Sequence, residues 1–152
     1  MFVSESAIQI FIEYGYGALF IASFLAATIL PFSSEFLLSL LLLNNYNAVN
    51  VVAIGTAGNV LGAVVNYGLG HQGNKLVLQR WLRLSSEEIH HAEKRFKKYG
   101  LFSLCFAWVP IIGDPLTVAA GLLKINFSAF LALVTAGKFL RYVIIAISIQ
   151  SL

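Results

Sequence analysis

Two apolar segments of this chain are broken by the same short phrase, and that duplication limits the fold more than any other feature. Pro31-Phe32-Ser33-Ser34-Glu35 reads as proline, three residues, acid; Pro110-Ile111-Ile112-Gly113-Asp114 repeats it at an offset of 79 residues. At the same offset Thr56-Ala57-Gly58-Asn59 recurs as Thr135-Ala136-Gly137-Lys138. Carboxylates at matching points of two apolar repeats are not explained by packing alone. They point to a polar site inside a membrane, the pattern of a transporter.

The membrane assignment rests on composition and run length. Charged residues make up 11% of the 152 and hydrophobic ones 59%, where a soluble domain carries roughly 25% charged residues. A span needs roughly 20 apolar residues, and Ala48–Gly70 and Phe127–Ile149 meet that length. The remaining runs do not cross as regular helices. Gly15–Leu30 and Phe36–Leu43 flank the break at Pro31, and Leu101–Leu123 is interrupted by Pro110, Gly113 and Pro115. Proline frees backbone groups that lipid cannot satisfy. These breaks therefore read as tips of re-entrant hairpins, with kinked spanning helices as the alternative.

The expected fold class is an all-α membrane protein with two inverted repeats, each a re-entrant helical hairpin plus a transmembrane helix. Residues 1–152 form one integral membrane domain: repeat 1 about 14–70, an amphipathic linker 71–98, and repeat 2 about 99–151. A unit with one net crossing turns the next unit upside down. The two tips then meet from opposite faces, bringing Glu35 near Asp114. The linker holds Lys75, Arg80, Arg83, Lys94, Arg95, Lys97 and Lys98, while the stretch before Gly15 holds no base. That bias puts the linker in the cytoplasm and both termini outside; a fully crossing first arm would move the N-terminus to the cytoplasm. Leu76, Leu78, Trp81 and Leu84, interleaved with bases, read as a segment lying on the membrane surface. Ser85-Ser86-Glu87-Glu88 predicts a capping box, followed by Ile89, Ala92, Phe96 and Tyr99 at helical spacing. The N-terminus lacks a basic n-region and reads as retained sequence rather than a signal.

Four ionisable residues stand at membrane depth: Glu35, Asp114, Lys138 and Arg141. Each costs at least ~2.5 kcal/mol at a helix centre in lipid. Lys138 and Arg141 are three apart and share one helix face. Glu35 and Asp114 are the expected proton carriers, Lys138 and Arg141 the anion holders, and Asn59 and Trp108 the cavity lining. Arginine presents a planar fork suited to phosphate and lysine a point charge. The blander alternative is a static ion-pair network that fixes helix register. No metal site is legible: His90 and His91 are adjacent and point apart, and Cys105 is the single cysteine. No cofactor, phosphate-loop or nucleic-acid motif is present in the sequence.

Further elements complete a recognisable set: Pro31-x-x-x-Glu35, Gly58-Asn59-x-x-Gly62, Trp108-x-Pro110-x-x-Gly113-Asp114-Pro115 with Ala120-Gly121, and Gly137-Lys138-x-x-Arg141-Tyr142. Together they resemble the YqaA-like branch of the DedA superfamily, also known as SNARE-associated or VTT-domain proteins, over nearly the whole chain. The resemblance implies a multi-pass protein of the bacterial inner membrane, paired re-entrant helices, acidic residues needed for proton-dependent function, and lipid translocation. For the wider family the resemblance implies undecaprenyl phosphate and phospholipids as substrates. One departure is clear: the main family's R-x-x-P-x-x-R ahead of an A-G pair falls here on Ala107 and Gly113. The expected function is a flippase- or scramblase-like, proton-coupled translocator of an anionic lipid or small anion, and no enzyme. Its partners would be membrane lipids and protons, with a homodimer compatible with the small size. The alternatives are a proton-coupled small-solute exporter or ion antiporter, and a non-transporting assembly factor that packs through Gly58-x-x-x-Gly62. An intramembrane aspartyl protease is disfavoured, because Ile111 stands where its G-x-G-D element needs glycine.

Overall fold

The computed structural model describes residues 5–28, 33–73 and 85–151; the break at Pro31 and the surface segment 76–84 lie outside them. Every secondary-structure element among the described residues is a helix. The order is α1 (Glu5–Ala26), α2 (Ser33–Leu43), α3 (Ala48–Gln72), α4 (Ser86–Tyr99), a 3-10 helix (Gly100–Phe106), α5 (Gly113–Leu122) and α6 (Phe127–Gln150). Among the described residues, α3 and α6 are the two helices long and apolar enough to cross a membrane. At ~1.5 Å per residue, 25 and 24 residues exceed the ~30 Å hydrocarbon core.

Both long helices are entered through the same turn. α2 ends in a Schellman motif, with Tyr46 N–H donating to Leu41 O (3.1 Å) and Asn45 N–H to Leu42 O (3.1 Å). α5 ends likewise, with Ile125 N–H donating to Ala120 O (3.0 Å) and Lys124 N–H to Gly121 O (3.0 Å). The left-handed residue is Asn45 (φ 63) in the first turn and Lys124 (φ 51) in the second. Asn47 then caps α3 by accepting from Asn50 N–H, and Asn126 caps α6 by accepting from Ala129 N–H, each at 3.1 Å. Every one of these pairs lies 79 residues apart in the sequence.

Elsewhere the two halves differ. α1 begins at Glu5, well before Tyr14, and bends at Gly15 (φ 37, ψ −101). A Cβ at Gly15 would sit 2.6 Å from the Tyr46 ring, so glycine meets both the conformation and the close approach. In the second half the arm before the break is a 3-10 helix instead of a long α-helix. The chain then turns through residues 107–112, where Pro110 lies and Ile111 takes a left-handed φ of 73. Gly113 opens α5, where any Cβ would land on the Ala107 carbonyl. Pro115 corrects the expectation: it lies in the first turn of α5, inside the helix, and is not part of the break. First-turn donors have no intrahelical acceptor, so a missing N–H costs nothing there.

α3 is the central element, packed against α1, α5 and α6. Each short helix rests on a long one from the other part of the chain: α2 on α6, and α5 on α3. Glycines set how closely α3 is approached. A Cβ at Gly58 would meet the Phe20 carbonyl of α1, and one at Gly62 the Phe24 carbonyl of α1 and Ala27 just beyond its end. Gly70 and Gly121 do the same between α3 and α5. α4 starts with the expected capping box, Glu88 N–H donating to Ser85 Oγ (3.2 Å) and Ser85 N–H to Glu88 Oε2 (2.7 Å). Its apolar face buries Ala92 and Phe96, and Ser103 Oγ–H donates to Arg95 O (3.0 Å). Ile21, Phe36, Val49, Phe102, Leu140 and Ile147 are exposed on the outside, an apolar exterior suited to hydrocarbon rather than water.

Candidate functional site

The first turns of α2 and α5 each carry one acid, Glu35 and Asp114. Both line a cavity between the long helices, together with Ser34, Asn59, Lys138 and Arg141. The local reasons are different for each element. Glu35 and Asp114 each lie in the first turn of a short helix, Asp114 just after the turn through residues 107–112. Lys138 and Arg141 are three apart on α6 and project from one face of it. Asn59 lies on α3, next to Gly58, where α1 comes close.

A continuous polar chain runs through this site. Lys138 Nζ donates to Asn59 Oδ1. Asn59 Nδ2 donates to Tyr142 Oη (3.1 Å), and Tyr142 Oη–H to Ser34 Oγ (2.9 Å). Ser34 Oγ lies 3.4 Å from Glu35 Oε2, and Glu35 Oε1 forms an ion pair with Arg141. Arg141 Nη1 also donates to the Trp108 carbonyl (3.2 Å). Lys138 is 3% exposed and makes no direct ion pair among the described residues. Asp114 supplies the opposing charge across the cavity. A buried ammonium carries a desolvation cost of several kcal/mol, which a neutral amide oxygen offsets only in part. The arrangement holds charge in tension and does not minimise it.

The structure thus brings Glu35, Asp114, Asn59, Lys138 and Arg141 around one space. Trp108 enters through its backbone: its carbonyl binds Arg141, while its side chain lies 43% exposed beside Gly137. Pro110 lines the cavity. Sequence reasoning did not single out Tyr142 and Ser34 as site residues, though they link the Lys138–Asn59 bond to the Glu35–Arg141 ion pair. Tyr142 adjoins Arg141 in an apolar run, and its almost complete burial was the property that would have marked its hydroxyl as needing partners. A second buried cluster lies nearby: Asn66 Nδ2 donates to Ala27 O (2.7 Å) and to Thr117 Oγ1 (3.2 Å).

The cavity has room for about one water, about 20 Å³. A phosphate group, with four oxygens around its phosphorus, is larger than that space.

These features define a helical membrane protein whose polar centre is held between long apolar helices. Comparison with known proteins agrees. The VTT domain family matches residues 30–151. The chain is 34% identical over 130 residues to inner membrane protein YqaA of Escherichia coli, covering 85% of this chain and 87% of that protein. It is 32% identical over 136 residues to an uncharacterized protein of Haemophilus influenzae, covering 82% and 81%. It is also 28% identical over 156 residues to a protein of Lactococcus lactis named alkaline phosphatase-like, covering 94% and 73%. No solved structure matches the chain significantly. The chain belongs to the VTT-domain (DedA) family and is a membrane protein.

Proposed function

We propose that this chain is a translocator of an anionic, phosphate-bearing lipid or small anion in the bacterial inner membrane, driven or gated by protons on Glu35 and Asp114. The observation that carries the reading is the direct bond between Asn59 and Lys138, which stand 79 residues apart at the repeat offset. Corresponding residues of an inverted repeat meet where the pseudo-two-fold axis passes, and the substrate sites of such transporters lie there. The twice-used turn, the paired Asn caps and the crossed seating of α2 on α6 and α5 on α3 support the same architecture. On this reading α1–α2 and the 3-10 helix–α5 pair are re-entrant hairpins, and the chain passes the membrane more than once.

The mechanism follows from the polar chain. With Glu35 ionised, Arg141 is held by an internal partner and the cavity stays closed. Protonation of Glu35 removes that partner's charge. The freed guanidinium, with Lys138 beside it, can then take an external phosphate oxygen. Loss of the proton restores the internal pair and expels the anion. The first turns of α2 and α5 add the positive ends of two helix dipoles to the same space.

The test is lipid and anion flux in proteoliposomes containing the purified chain. Wild type should move a labelled anionic lipid or a labelled anion in a pH-dependent manner. Glu35→Gln and Asp114→Asn should be inactive while still eluting as folded protein. Full activity in both variants ends the reading. Release of phosphate from an ester substrate without any flux would favour the chemistry named for the L. lactis relative instead.

A further inference from the structure

A second, larger cavity of about 300 Å³ lies between α4 and the start of α5, with Glu88, His91 and Arg95 on one wall and Ile111, Pro115 and Leu116 on the other. Ile111 also lines the central cavity. One residue, held at a left-handed φ of 73, therefore stands between the two spaces. We infer that the α4–α5 cavity is an antechamber that receives the phosphate headgroup of an anionic lipid before it passes Ile111 to the central site.

Size, charge and polarity favour that ligand. The central cavity has room for about one water, while a space of ~300 Å³ is at the lower end of small-molecule sites. The Glu88 carboxylate is turned to Ser85, accepting from its backbone N–H (2.7 Å) and its hydroxyl (2.9 Å). His91 lies 3.6 Å from Glu87 on its own helix. The Arg95 guanidinium has no ion pair among the described residues. With the Glu88 carboxylate occupied by Ser85 and His91 beside Glu87, the charged group left without a bonding partner at this wall, among the described residues, is Arg95, a cation with a fork suited to phosphate. The opposite wall is apolar, as the first carbons of a lipid require. A free anion would gain nothing from Ile111, Pro115 and Leu116.

Arg95 is accessible to substitution. Its structural bond uses its backbone carbonyl, which accepts from Ser103, and its side chain is exposed. Lys97, exposed on the same helix and outside the cavity lining, controls for general attraction to anionic surfaces. The antechamber's role rests on the translocator reading above, but its occupancy is a binding property, so the two fail separately.

The experiment is native mass spectrometry of the full chain in detergent micelles, titrated with short-chain phosphatidate or with inorganic phosphate. Arg95→Ala should weaken the phosphatidate adduct about tenfold or more, the loss of a charge-assisted hydrogen bond. Lys97→Ala should leave it unchanged, and inorganic phosphate alone should give no comparable adduct. Equal adducts in wild type and Arg95→Ala, equal losses in Arg95→Ala and Lys97→Ala, or phosphate binding as well as phosphatidate, would each overturn the antechamber. An Arg95-dependent adduct on a protein that moves neither lipid nor anion would keep the site and sink the translocator.

Discussion

Replacing Asn59 by Leu isolates the energetics of the central bond. Asn59 and Lys138 are each 3% exposed and bonded to one another, with Asn59 also donating to Tyr142. In Asn59→Leu the ammonium keeps its burial and loses its one hydrogen-bond acceptor among the described residues, a change that costs about 3–5 kcal/mol. In Lys138→Met the Asn59 oxygen loses its donor but the bond to Tyr142 survives, so about 1–3 kcal/mol is lost. The double variant removes both polar ends and fills the space with two apolar side chains of similar length. Such replacements of buried ionic partners are close to neutral; allowing about 1 kcal/mol for the missing Tyr142 bond, the double variant should fold almost as well as wild type. The coupling between the two sites is then at least about 3 kcal/mol, far outside the ~0.5 kcal/mol scatter of independent sites. Reversible unfolding in mixed micelles, followed by tryptophan fluorescence, measures all three. If the double variant loses the sum of the single losses, Lys138 is not held by Asn59, and the meeting of repeat-equivalent residues falls with it. The stable double variant should still fail in lipid flux, which separates the site's chemistry from its packing.

Gly121→Ala should destabilise by about 1–3 kcal/mol because its methyl would meet the Tyr67 carbonyl. Gly68→Ala, with nothing within 4 Å, should be neutral or stabilising by up to ~1 kcal/mol; equal effects in the same unfolding assay would contradict the α3–α5 contact. Tyr142→Phe removes the hydroxyl between Asn59 and Ser34 and should cost about 1–3 kcal/mol while slowing flux; an unaltered midpoint would show that the polar chain is broken there already. Ile111→Gly relieves a left-handed β-branched residue, about 1–2 kcal/mol, against about 0.5–1 kcal/mol of added backbone entropy. Stability should therefore change by no more than about 1 kcal/mol while translocation speeds up, and slower flux would go against Ile111 as the partition.

Hydropathy located α3 and α6 to within a few residues, because apolar run length is a direct physical requirement for crossing lipid. The capping box at Ser85–Glu88 was legible for the same kind of reason: two side chains at fixed spacing satisfy two named donors. The left-handed turns at Asn45 and Lys124 were not, since neither residue is glycine and the preference arises from the Schellman bonds around it. Nor was the bend at Gly15, which depends on Tyr46 arriving from a different element. Pro115 illustrates a limit of reading breakers by composition. Proline ends a helix in its interior and starts one in its first turn, and only the position of Gly113 decides between them. In the site, ionisable residues announced themselves by their cost in lipid. Ser34 and Tyr142 did not, because a hydroxyl's need for partners becomes visible only once burial is known.

The distribution of charge between the halves has a packing cause. The repeat counterparts of Lys138 and Arg141 on α3 are Asn59 and Gly62, so both cations lie on α6. A side chain at Gly62 is excluded, since its Cβ would be 2.6 Å from that of Ala27 and 2.7 Å from the Phe24 carbonyl. The second half has a shorter 3-10 arm in the corresponding place, and Gly137 has its nearest neighbour at 3.5 Å. That looser approach leaves Arg141 space to reach the Trp108 carbonyl and Glu35. The two acids are therefore not equivalent. Glu35 touches a cation and Asp114 acts on one across the cavity, so under the proposed mechanism a proton on Glu35 would release a binding group, whereas a proton on Asp114 would change only the field around Lys138. Glu35→Gln should accordingly strengthen retention of a copurifying anionic lipid more than Asp114→Asn does, and Arg141→Ala should abolish the difference. Equal retention in the two acid variants would mean that the contact between Glu35 and Arg141 does not gate the site.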